Sequence, residues 1–234
     1  MLPRFFVFLA LLLLLPSPAV QAARPFVTDD ARLTTAQSCQ LESWIRSYSN
    51  STEIWALPAC NFGGNLEITA GGGRARFDDA PSTNDYVFQA KTLFKPLETN
   101  SYGIGLAFGK VLHPEVNPGP NLLGNTYAYV PVTVSFLEDR ALIHTNLGWL
   151  RDRATQRDNL TWGVGGEYAL NNRFSAMAES FGDNREKPYW QAGLRAFLIP
   201  DRVQIDGTVG RQWNGQKESR WFSIGLRFTP DRLF

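Results

Sequence analysis

Few side chains in this 234-residue sequence are of the types that do covalent or metal chemistry: two cysteines, Cys39 and Cys60, and two histidines, His113 and His144. A structural zinc site needs its ligands in clustered spacing, and these four are scattered, so no metal is expected. The run Gly71-Gly72-Gly73 lacks the Gly-Lys-Ser/Thr that would make it a phosphate loop, and no cofactor is expected. A serine hydrolase would need its nucleophile beside a histidine. The stretch around His144 offers Thr145 and Asn146 but no serine, so the sequence reads as a non-enzyme. What remains is weaker chemistry: acids, bases and aromatic rings set at alternate positions along extended segments.

Those segments are exported. The one long apolar run, Phe5 to Leu15, follows Arg4 and precedes Pro16, Pro18 and the small-residue context Val20-Gln21-Ala22. It is shorter than the ~20 residues a spanning helix requires, and its flanks are those of a secretory signal peptide. Residues 1–22 are therefore read as a signal peptide, which places both cysteines in an oxidising compartment. The 23 basic and 22 acidic residues nearly cancel, which argues against a nucleic-acid partner.

From Cys39 onward, twelve segments alternate apolar and polar residues with period two, the first Cys39 to Tyr48 and the last Arg220 to Thr229. Most approach the ~9 to 11 residues with which a tilted strand crosses a bilayer. Tight turns at Leu137 to Arg140, Leu170 to Arg173 and Ile199 to Val203 alternate with longer polar connections such as Leu112 to Asn125. On the apolar face, aromatic residues gather at the two strand ends. Tyr86, Phe108, Trp149, Trp162, Trp190 and Phe222 lie at one, and Phe94, Tyr102, Phe136, Tyr168, Phe174 and Phe228 at the other. Two bilayer interfaces select two such belts. The expected fold is all-β: an antiparallel up-and-down transmembrane β-barrel of about 12 strands with both termini periplasmic. Residues 38–234 would form it, and residues 23–37 would be a periplasmic or lumenal segment able to plug the lumen. The expected location is the outer membrane of a Gram-negative bacterium. Outer-membrane lipid would surround the barrel, and the C-terminal strand with Phe234 would address the barrel-assembly machinery.

The opposite face is polar. Its lumen-lining candidates are Glu42, Arg46, Glu53, Glu67, Gln89, Lys91, His144, Asn146, Glu167, Glu179, Gln191, Arg195, Asp206 and Arg227, with Trp44, Trp55, Tyr127 and Tyr129 as stacking surfaces for an aromatic solute. Twelve strands tilted by ~40° enclose a lumen of about 12 Å at most once side chains are counted. Centring the first hairpin on Ser49-Asn50 sets Cys39 opposite Cys60, Arg46 opposite Glu53 and Trp44 opposite Trp55. Paired strands bring Cα atoms close enough for a Cys39–Cys60 disulfide.

Several short motifs resemble a known family. Ala23-Arg-Pro-Phe-Val-Thr-Asp-Asp-Ala31, Cys39-Gln-Leu-Glu-Ser-Trp44, Ala59-Cys-Asn-Phe62, His144-Thr-Asn-Leu-Gly-Trp149 and Ala178-Glu-Ser-Phe-Gly182 look like the proteobacterial outer-membrane barrels of the meta-pathway phenol-degradation family. The resemblance implies a transporter-like barrel for small hydrophobic or aromatic compounds. The functional expectation is an outer-membrane channel for small solutes with a narrow, mixed-charge lumen. The alternatives are a structural or plugged barrel acting through external loops, and an outer-membrane lipid hydrolase.

Overall fold

The computed structural model describes residues 26–112, 125–152 and 155–234. The signal-peptide assignment, the greater part of the Leu112 to Asn125 connection and His113 lie outside those residues. Twelve strands follow in chain order: β1 (Ser38–Tyr48), β2 (Ser51–Asn61), β3 (Glu67–Phe77), β4 (Thr83–Lys95), β5 (Tyr102–Leu112), β6 (Thr126–Phe136), β7 (Ala141–Asp152), β8 (Arg157–Ala169), β9 (Phe174–Asp183), β10 (Tyr189–Ile199), β11 (Val203–Gln212) and β12 (Trp221–Phe228). Each pairs antiparallel with its chain neighbours, and β1 closes on β12. Closure satisfies every ladder and leaves no exposed sheet edge. An even strand number brings both ends of the barrel chain to one rim, here called the near end, with the other rim the far end.

The period-two alternation decides which side chains face outward. Ile45, Phe88, Leu147, Val164, Leu194 and Ile224, all exposed, project from the outer wall. Water would penalise so broad an apolar cylinder, whereas a bilayer accepts it. Tyr86, Phe108, Trp149 and Phe222 ring the far half of this surface, and Phe94, Tyr102, Phe136, Tyr168, Phe174 and Phe228 ring the near half, all exposed. Inside, the burial pattern is that of an inverted globular protein, because polar and charged residues outnumber hydrophobic ones among the buried set.

The first hairpin adopts the expected register: Cys39 faces Cys60, Arg46 faces Glu53 and Trp44 faces Trp55. The two cysteines are disulfide-bonded, and the two indoles stack with centroids 5.6 Å apart. Pro58 and Pro131 each interrupt the ladder on one side without shifting it, as a residue lacking an N–H must. Gly71 to Gly73 lie within β3 rather than at a turn. At Gly73 the missing Cβ leaves room for the Trp55 ring. β12 ends at Phe228, and Phe234 is not in the strand but folds back over the near rim, its ring stacked on Phe62 at 5.3 Å. The Thr229-Pro230 step explains this, since proline cannot extend the ladder.

Candidate functional site

The interior has two storeys. Near the far end the inward positions carry clustered aromatic and aliphatic side chains, with Arg46, Glu53 and Asp85 among them. Tyr48 closes β1 and Trp221 opens β12, with ring centroids 6.0 Å apart. Phe181 stacks on Tyr189 at 5.7 Å, and both approach Trp221. Across the barrel, Val87, Val111, Tyr127 and Leu150 form a buried cluster against which Trp55, Leu57 and Tyr129 pack. Tyr127 and Tyr129 stack at 6.0 Å; the Tyr127 hydroxyl donates to Gln89 Oε1 at 3.0 Å, and the Tyr129 hydroxyl oxygen lies 3.1 Å from the same atom. Arg46 lays its guanidinium over the Trp221 ring at 5.3 Å.

Below this lies a polar storey, and a strap of chain, residues 26–37, crosses it. From Val27 to Thr34, every hydrogen bond between strap and wall among the described residues uses a wall side chain. Both Glu179 oxygens accept from the strap, from the amides of Val27 (2.7 Å) and Thr28 (2.8 Å). The side-chain amide of Asn146 brackets Asp29, accepting from its N–H and donating to its carbonyl, each at 2.8 Å. Lys91 Nζ bridges Asp29 (2.9 Å) and Asp30 (3.4 Å), while the Tyr129 hydroxyl donates to the other Asp29 oxygen at 2.6 Å. Ala31 N–H donates to Thr133 Oγ1 at 2.9 Å, and Thr34 N–H to Glu67 Oε2 at 2.7 Å. Asn61 Nδ2 donates to the Thr34 carbonyl at 2.8 Å. Burial pushes the Asp30 carboxyl above its ordinary value, while Lys91 pulls the other way. The wall is cut back where the strap lies against it. A Cβ at Gly163 would run into Thr28, and one at Gly165 would stand 2.9 Å from the ring of Phe26.

The remaining candidates brace the wall. His144 is fully buried; Nδ1 meets Thr133 Oγ1 at 2.9 Å, Nε2 meets Glu167 Oε1 at 3.2 Å, and its ring packs on Phe26. Arg195 donates to the other Glu167 oxygen at 2.5 Å. Gln191 donates to Glu179 and accepts from Thr208 at 3.1 Å. Asp206 lies opposite Arg195 and Arg227 opposite Glu42 in register. Glu53 accepts from the Trp55 indole at 3.3 Å. The hydrogen bonds of His144 are thus made to a threonine and a carboxylate, neither of them a serine.

Of the eighteen candidates, the strap touches Glu67, Lys91, Asn146, Glu179, Tyr129 and, through Phe26, His144. Sequence reasoning did not single out Asp29, Asp30, Thr133, Asn61, Gly163 or Gly165, nor the far-end rings of Tyr48, Phe181, Tyr189 and Trp221. The inward glycines opposite large residues were the available signal, since a period-two strand leaves a gap wherever an inward position is glycine.

This combination, a closed twelve-stranded barrel with an apolar exterior and a polar, strap-crossed interior, defines a porin-like barrel of the transmembrane type. The chain belongs to the conserved family described as "Uncharacterised conserved protein UCP029691", whose profile matches residues 10–229. A search among curated proteins finds no match. Among solved structures the barrel is similar to the KdgM porin, with TM-score 0.60 and 9% identity over 81% of this chain and 98% of that one. It is also similar to the COG4313 outer membrane channel from Pseudomonas putida F1, with TM-score 0.55 and 11% identity over 89% of this chain and 100% of that one. The NanC porin gives TM-score 0.55 and 11% identity over 81% and 98%. At these identities the likeness is one of fold.

Proposed function

We propose that this protein is an outer-membrane channel for small solutes, hydrophobic or aromatic compounds among them, closed at rest by the strap and opened when the strap shifts. Residues 1–22 direct export, the near end faces the periplasm and the far end the exterior. β12, with Phe222, Ile224, Leu226 and Phe228 on its outer face, is the strand offered to the assembly machinery. The observation that carries the reading is the pairing of an aromatic upper storey with a strap that joins no ladder. From Val27 to Thr34 the wall holds the segment through side chains only, so this stretch can leave without breaking the barrel, because every strand keeps its neighbours. Porins and channels of the same fold support the channel reading, and the far-end rings support an aromatic or apolar solute.

The filled polar storey also favours a second reading, a permanently plugged barrel that acts through its loops. Liposome swelling separates the two. A barrel lacking residues 24–36 should admit small aromatic solutes faster than the full chain. A full chain that stays impermeable while the shortened barrel admits solute leaves the plugged reading standing, and impermeability of both sinks the channel reading.

A further inference from the structure

The outward face at the far rim of β3 to β5 carries a charge arrangement that the channel reading does not use. Arg74 and Arg76 occupy successive outward positions within three residues of the far end of β3, and Lys110 lies two residues from the far end of β5. All three are exposed. Their cross-strand neighbours on that face are neutral: Ile54 and Asn84 beside Arg74, Thr52 beside Arg76, Phe88 and Thr126 beside Lys110. The acids nearest Arg74 and Arg76 in sequence are elsewhere. Asp78 and Asp79 lie beyond the strand in the β3–β4 turn, and Asp85 is an inward, buried position.

None of the three cations makes a hydrogen bond or ion pair with a described residue, whereas Arg151, Arg185 and Arg211 at the same end are engaged by the protein. Arg151 pairs with Asp158 at 2.6 Å, Arg185 donates to the Asp158 carbonyl at 3.1 Å, and Arg211 donates to the Gly215 carbonyl at 3.3 Å. Arg74 and Arg76 sit two residues apart on one face, ~7 Å along the strand, where like charges repel unless an anion lies between them. Tyr86 and Phe108, exposed on the same face, belong to the far aromatic belt. Cations beside that belt stand at the level of lipid head groups.

We propose that Arg74, Arg76 and Lys110 form a binding site for the phosphates of a membrane lipid in the leaflet at the far end, a phosphorylated glycolipid on the orientation given above. The hydrocarbon-facing belt beside the cations selects a lipid over free phosphate, because an anion in solution gains nothing from it. The site rests on the membrane-spanning reading of the barrel but not on the lumen being open.

The test uses the full mature barrel in detergent micelles doped with diphosphoryl lipid A or its dephosphorylated form, with lipid retention read by native mass spectrometry. The wild type should retain the phosphorylated lipid in preference, with inorganic phosphate a weak competitor. The triple variant R74Q/R76Q/K110Q should bind it at least about tenfold more weakly, since each cation beside an anionic head group adds to the attraction. The control R151Q, at an arginine already paired within the protein, should bind as the wild type does. Equal retention by the triple variant, or equal retention of the dephosphorylated lipid, would overturn the proposal. Heat-modifiable gel mobility on the same samples keeps the two readings apart. A shifting band with no phosphate preference sinks the site alone, and a band that never shifts sinks the barrel reading with it.

Discussion

Glu179 is the residue on which the strap's placement turns, because both its oxygens are taken by strap amides that no other wall group reaches. A carboxylate accepting from backbone N–H contributes about 1.5–3 kcal/mol per bond when the donors are otherwise buried. Replacing Glu179 by Ala should loosen the strap and expose the Arg32-Leu33 bond, so limited trypsin digestion should release the N-terminal fragment faster than from the wild type. An unchanged cleavage rate would mean that the remaining contacts suffice. At this scale the sequence was half legible. Period two places Glu179 inward, but its partners lie about 150 residues away. No local pattern encodes a contact across a lumen. Lys91 is similar: its inward position follows from the strand, and its bridging of Asp29 and Asp30 follows only from the strap's path.

Among the elements, the β1–β2 hairpin was the most legible, since one turn assumption fixed a disulfide, a charged pair and an indole stack at once. The strap was the least legible, because it has no periodicity and takes its shape from the wall. β12 was legible except at its end, where the fold-back of Phe234 depends on Phe62 rather than on strand pattern. Close packing between elements rests on glycine. A Cβ at Gly210 would collide with the Trp221 ring, whereas one at Gly207 meets only the Ser223 carbonyl at 3.9 Å. Gly210→Val should therefore cost about 1–3 kcal/mol of overpacking and lower the temperature at which the heat-modifiable band converts. Gly207→Ala should leave that temperature close to the wild-type value. Equal effects of the two would show that the Trp221 ring moves aside freely.

For the whole molecule, the near-neutral charge balance acquires a spatial meaning. Apolar residues are dealt to the outer wall, and acids and bases meet inside, where they hold both the wall and the strap. The central claim is that the strap closes a path that is otherwise continuous, and a reversible lock tests it most directly. The Cβ of Thr28 lies 3.2 Å from where a Cβ on Gly163 would stand, close to the separation a disulfide spans. In planar bilayers the T28C/G163C barrel should be silent when oxidised and should regain brief openings after reductant is added, with the wild type, treated identically, resting closed but showing those brief openings in both states. Equal conductance of the variant before and after reduction would contradict the account.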